Sequence, residues 1–126
     1  MKKGILTILV VAIATLFGGQ AFGQTDFDVE NASGYQLWGI MVSQDGGADW
    51  TGDLLTEDEF LDGTTTTITI PAGYTCQIYV KVSYMVDGEI YEEVIARANV
   101  CEHSGIYIQA NPSGSGGHWM TTQYMD

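Results

Sequence analysis

The sequence predicts an all-β protein, an antiparallel β-sandwich of six to seven short strands. Two observations carry this expectation. Between Tyr74 and Cys101, two runs of alternating apolar and polar residues flank Asp87-Gly88, the pattern of a β-hairpin. Elsewhere, short alternating segments are separated by Gly-, Pro-, Asn- and Ser-rich turn signals, as in two-layer β folds.

The hairpin is the most detailed of these readings. Its first strand carries Cys76, Ile78, Val80, Val82, Tyr84 and Val86 on one face, and Gln77, Tyr79, Lys81, Ser83 and Met85 on the other. The second strand repeats the apolar face with Ile90, Val94, Ala96, Ala98 and Val100, Glu92 being the exception. Matching the two apolar faces requires paired residue numbers to sum to an even number. A three-residue loop Val86-Asp87-Gly88 satisfies this and pairs Met85 with Glu89. Cys76 then lies opposite Ala98, so a Cys76–Cys101 disulfide needs a bulge or bend near Asn99-Val100.

Compartment favours that bridge. Lys2-Lys3, the apolar run Ile5 to Phe17 and the small residues of Ala21-Phe22-Gly23 form a signal-peptide pattern over residues 1–23. The apolar run is shorter than the roughly 20 residues a membrane span needs. Cleavage before Gln24 leaves 103 of the 126 residues, enough for one domain, with both cysteines retained in an oxidising, secreted or periplasmic setting. Formal charge is −12 overall and −14 once Lys2 and Lys3 are removed, since Lys81 and Arg97 then stand alone against 16 acids. Such a surface repels phosphate backbones and anionic membranes, which argues against nucleic acid and, after cleavage, against membrane. A protein, glycan or cation partner is compatible with it.

Along the mature chain, Asp26 to Glu30 alternates acid and apolar residues and reads as an edge strand. Asn31 to Gly34 is a turn, and Tyr35 to Ser43 reads as a central strand covered on both faces, with Trp38, Ile40 and Val42 on one and Tyr35, Leu37 and Met41 on the other. An acidic, Gly-rich connection follows from Gln44 to Gly63. Thr64 to Ile70 places Ile68 and Ile70 inward, and Ile106 to Ala110 is a last short strand. The sandwich, immunoglobulin-like or C2-like, therefore spans residues 24–110. Residues 111–126 form a Gly/Ser linker and C-terminal tail, with no clean period after His118.

The acidic connection offers the candidate ligand loop: Asp45, Asp49, Trp50, Asp53, Asp58 and Asp62. Clustered carboxylates suit calcium, the one cofactor the sequence suggests, although the spacing is not that of an EF-hand and leaves the metal unknown. Trp50 is the tryptophan best placed to stack on a ligand. No catalytic residues are assigned. His103 and His118 lack zinc-ligand spacing, no G-x-S-x-G elbow occurs, and Glu92-Glu93 point to opposite faces of a strand.

The order of several short motifs resembles a group of small secreted bacterial proteins that genome pipelines often label argininosuccinate lyase. The matching elements are Phe27-Asp28-Val29-Glu30-Asn31-Ala32-Ser33-Gly34, Val42-Ser43, Trp50 with Asp53-Leu54-Leu55, and Leu61-Asp62-Gly63. Cys76, Asp87-Gly88 and Asn99-Val100-Cys101-Glu102 complete the set. Thr51, Gln44 and Ile78-Tyr79 depart from it. The resemblance implies a secreted β-sandwich of unknown role. It does not imply lyase activity, because this chain lacks the lyase's Ser-Ser-x-Met-Pro-x-Lys-x-Asn signature, its length and its helices. The expectation is a secreted, non-enzymatic binding or structural module. A hydrolase-type enzyme using surface carboxylates and a subunit of a surface fibre are the alternatives.

Overall fold

The computed structural model describes residues 23–56, 59–111 and 119–126. The leader expected over residues 1–23, apart from Gly23, lies outside the described residues, as do Asp58, His118 and most of the Gly/Ser linker. Seven strands follow in order: β1 (Thr25–Ala32), β2 (Leu37–Ser43), β3 (Thr65–Ile70), β4 (Gln77–Val86), β5 (Glu89–Asn99), β6 (Gly105–Ala110) and β7 (Met120–Tyr124). They form two sheets, β3-β1-β6-β7 and β2-β4-β5, in a β-sandwich. All neighbours run antiparallel except β1 and β6, which are parallel.

In β1 the alternation is as expected, with Phe27, Val29 and Asn31 buried and the acids turned outward. Its place in the sheet is not. β1 lies between β3 and β6 instead of at an edge. The outward acids meet threonines of β3: Thr65, Thr67 and Thr69 donate hydroxyl hydrogen bonds to Glu30, Asp28 and Asp26 at 3.2, 2.7 and 3.1 Å. This cross-strand ladder satisfies the acids on the solvent face of an interior strand. On the other side, Gly105 of β6 sits so close to the Asp28 carbonyl that any Cβ would collide with it.

β4, not β2, is the central strand of the second sheet. Ile78, Val80, Val82 and Tyr84 face inward as expected. A register shift between Leu37 and Gly39 leaves Trp38 as the extra residue, so Leu37 is buried while Trp38, expected to be covered, is 38% exposed. The core joins Phe27, Val29, Ile68, Ile70, Ile106 and Ile108 to Leu37, Ile40, Val42 and the β4 residues. Each such side chain contributes about 1.5–3 kcal/mol by leaving water.

The hairpin register differs from expectation, and the turn explains why. Asp87 and Gly88 both have positive φ, 51° and 82°, which suits the two-residue turn that matches strand twist. Val86 therefore pairs with Glu89 and Met85 with Ile90. The parity of β5 flips near the turn: Tyr91 and Glu93 take the inner face, while Ile90 and Val94 are 62% and 39% exposed. A bulge at Ile95 restores the expected parity, because Lys81 pairs with Val94 but Val80 pairs with Ala96. Beyond it Ala98 is buried, opposite Ile78.

The bend expected at Asn99-Val100 is present. The Asn99 side chain accepts hydrogen bonds from the amides of Cys101 and Glu102, at 3.0 and 3.1 Å, and turns the chain. That turn brings Cys101 to Cys76, and the two are disulfide-bonded with Cα atoms 5.2 Å apart. The bond points to a non-reducing compartment. Among the described residues no helix is long and apolar enough to cross a membrane.

The sheet also runs past Ala110. β7 pairs antiparallel with β6, from Ala110 with Met120 to Ile106 with Tyr124, and Met120 is buried. Tyr124 accepts the Asn99 amide proton on its hydroxyl at 2.9 Å and stacks on His103 at 3.5 Å.

Candidate functional site

The acidic connection between β2 and β3 runs along the free edge of β2. Thr51 and Leu54 donate backbone hydrogen bonds to the carbonyls of Val42 and Ile40. The Thr51 hydroxyl and Asp53 Oδ1 accept from the amides of Val42 and Ile40, at 3.1 and 3.0 Å. Further along, Phe60 pairs with Leu37 through both backbone groups and is itself buried. The connection thus supplies the partners a missing neighbour strand would give, a way of blunting a sheet edge.

The carboxylates proposed as ligands are drawn into this backbone work. Asp53 Oδ1 also accepts from Leu55 N, and Asp62 Oδ1 accepts from Gly34 N at 2.8 Å. Asp45 accepts from Gly47 N and the Ser43 hydroxyl, and these bonds, the backbone one foremost, hold its carboxyl below the usual carboxylate range. Asp49 and Asp45 lie near Tyr74, whose phenol is pushed up first by burial and then by their charges. Trp50 carries the Lys81 ammonium 4.4 Å from its ring centroid, so one face of this expected ligand platform is already occupied. Asp58 lies outside the described residues. Among the described residues, no three of His, Cys, Asp and Glu come together as metal ligands.

A different site emerges at the turn end of the hairpin. Tyr84 and Val86 of β4, Tyr91 of β5, Tyr35 from the β1–β2 connection and Trp119 before β7 line a cavity of about 280 Å³. Tyr84 is its floor, 2% exposed, with its ring centroid 5.9 Å from Tyr91 and 6.4 Å from Tyr35. Tyr35, Tyr91 and Trp119 remain 38%, 44% and 60% exposed, unusual for rings gathered in one place.

Two carboxylates set the electrostatics of this cleft. Tyr84 donates its hydroxyl proton to Glu93 at 3.1 Å, and Tyr91 donates to Glu89 at 2.9 Å. Glu93 also accepts the amide protons of Trp119 and Met120, at 3.0 and 3.2 Å, and so ties β5 to the start of β7 in the opposite sheet. Burial, then the charge of Glu93 and the bond to it, push the Tyr84 phenol up to about 12. The Tyr91 phenol is raised chiefly by its hydrogen bond to Glu89. Both rings therefore stay neutral and act as donors across the physiological range.

Sequence reasoning missed the cleft because the even-sum register turned Tyr91 and Glu93 to the outer face. The signal that could have found it was Glu92, a carboxylate left on a face otherwise read as core. Read with the two-residue Asp87-Gly88 turn, that face carries Tyr91 and Glu93 instead. Comparison of the chain with family models, characterised proteins and solved structures finds no match.

Proposed function

We propose that this protein is an exported, non-enzymatic binding module whose ligand site is the aromatic cleft. The observation that carries the reading is the gathering of four aromatic rings, three of them well exposed, around one cavity of about 280 Å³. That volume lies near the lower end of ligand-sized sites and suits a small molecule or one protruding side chain. Binding is supported over hydrolysis by the state of the carboxylates. Glu93 accepts from a phenol and two backbone amides, and Glu89 from a phenol, so each works as a structural acceptor. Export is supported by the leader pattern at residues 1–23 and by the disulfide. The likeness to small secreted bacterial β-sandwich proteins belongs to the same proposal.

The test is nuclear magnetic resonance of labelled protein titrated with a panel of neutral sugars, aromatic amino acids and organic cations. The expected result is saturable shifts at Tyr35, Tyr84, Tyr91 and the Trp119 indole. A panel that moves none of these resonances overturns the assignment of the cleft. Amino-terminal sequencing of protein recovered outside the cytoplasm tests export, with Gln24 as the expected first residue and Met1 as the result that overturns it.

A further inference from the structure

We propose that the cleft takes a small quaternary ammonium cation of the choline type, free in solution. This rests on the reading of the cleft as a binding site and adds the chemical class of the ligand.

Three observations lead there. First, the lining is aromatic: Tyr35, Tyr84, Tyr91 and Trp119, with Val86 the one aliphatic member. Ring faces carry negative potential and attract cations, most strongly when water is excluded. Second, the two hydroxyls that bond to carboxylates, Tyr84 to Glu93 and Tyr91 to Glu89, make their rings richer in electron density than free phenols. Third, the lysine and arginine among the described residues are elsewhere. Lys81 and Arg97 are the only lysine and arginine among the described residues, and both lie over other rings, Trp50 at 4.4 Å and Tyr79 at 5.6 Å. Among the described residues, the cleft is thus an electron-rich aromatic site whose lining includes no basic side chain, in a chain of net charge −12.

The same features narrow the class. An anion meets Glu89 and Glu93 and the charge of the whole surface, so zwitterions with an accessible carboxylate or phosphate are disfavoured. A primary ammonium or a sugar needs directed hydrogen-bond acceptors, and the buried-side carboxylate, Glu93, already accepts from Tyr84, Trp119 and Met120. A quaternary ammonium has no N–H to satisfy and is weakly hydrated, so apolar aromatic faces serve it best.

The experiment is a titration of the purified protein with choline chloride, against sodium chloride at matched ionic strength, followed by the same resonances. Parallel arms use the neutral isostere 3,3-dimethylbutan-1-ol, betaine, and vesicles of phosphatidylcholine. Choline is expected to saturate the cleft, with the isostere about tenfold weaker or more, a difference of the size cation–π attraction supplies. Betaine and vesicles are expected to bind more weakly than choline. Tyr91→Ala is expected to weaken choline about tenfold, and Glu89→Gln, which leaves the fold's core untouched, by a smaller factor. An isostere that binds as tightly as choline, or a sugar that binds where choline does not, overturns the cation class while leaving the cleft as the site. Vesicles binding more tightly than free choline overturn the free-cation assignment. Failure of every panel member removes the site itself.

Discussion

Tyr84 and Glu93 meet through a 3.1 Å hydrogen bond from the phenol to the carboxylate, and through this contact the floor of the aromatic cleft is joined to the clasp between the two sheets. The same carboxylate accepts the amides of Trp119 and Met120, the residues that lead into β7. Local geometry at one end of a hairpin therefore decides both where a cavity forms and how the last strand is held.

Replacing Glu93 tests that clasp. Glu93→Ala leaves the Tyr84 hydroxyl and two backbone amides without their acceptor. The expected loss of stability is about 1–3 kcal/mol, measured by urea unfolding at neutral pH. Amide exchange at Met120 should accelerate more than exchange at Ile78 or Val80 in the core. Uniform acceleration across β4 and β7 would contradict the local role.

Tyr84 supplies a pH signature. Its phenol lies at about 12 in the folded protein, against 10.0 for an ordinary tyrosine, with burial as the first cause and Glu93 as the second. Above the unfolded value the unfolded chain holds fewer protons than the native one, so stability must fall as pH rises. The expected profile is flat in this group's contribution below about pH 10 and declines between about 10 and 12. Ultraviolet titration of the native protein should show one phenol ionising late in that window. Glu93→Gln should bring it down only in part, because burial remains. A return to the ordinary value in that variant would put the whole effect on the carboxylate.

What the sequence made legible follows from where the period of two is unbroken. In β3 and β4 the alternation runs clean, and Ile68, Ile70, Ile78, Val80, Val82 and Tyr84 lie where it put them. In β2 and β5 an extra residue, Trp38 and Ile95, shifts the register, so facing changes within a single strand. Alternation also cannot distinguish an interior strand from an edge strand with one wet face, hence the misplacement of β1. The disulfide was readable from the leader pattern of residues 1–23 and a count of two cysteines. The cleft was not, since it joins residues 35, 84, 91 and 119, brought together by the flipped hairpin register and by β7. The acidic loop was conspicuous by composition, but Asp45, Asp53 and Asp62 accept from backbone amides of its edge strand and turns.

Asn31 is the buried polar residue with most at stake. Its Nδ2 donates to the carbonyls of Tyr35 and Phe60, at 2.7 and 2.9 Å, and its Oδ1 accepts from the Ser33 amide and hydroxyl. An aspartate there turns a carboxylate oxygen toward two carbonyls. Asn31→Asp is expected to cost about 3–5 kcal/mol at neutral pH, as for other uncompensated buried charges. Lowering the pH should shrink the deficit, because protonation restores one donor. Thermal unfolding at pH 7 and pH 4 measures this, and a pH-independent deficit would count against the charge as its cause.

The disulfide closes a loop across the whole hairpin, its partners 25 positions apart in sequence. Removing it with the pair Cys76→Ser and Cys101→Ser should lower stability by about 3 kcal/mol in the chain-entropy model. The register should survive, since Val100 N still donates to Cys76 O and Asn99 still caps the turn. Chemical shifts of β4 and β5 in the double variant check this; a changed Ile78–Ala98 pairing would show that the bridge sets the register.

Asp53 separates two roles for the acidic connection, edge cover and cation ligand. Its Oδ1 accepts from the amides of Ile40 and Leu55, both at 3.0 Å, beside backbone bonds from Thr51 and Leu54 to the same strand. Asparagine retains an oxygen in that position, whereas alanine leaves two amides without it. As edge cover, Asp53→Asn should therefore cost little and Asp53→Ala about 1–3 kcal/mol. The alanine variant should also associate more readily, because the amide of Ile40 becomes available to a foreign strand. Calcium should raise the unfolding temperature no more than sodium at matched ionic strength, since screening depends on ionic strength alone. The measurement is thermal unfolding of the parent and both variants in each salt, with sedimentation to follow association. A calcium-specific rise in the parent that both variants lose would instead make Asp53 a cation ligand.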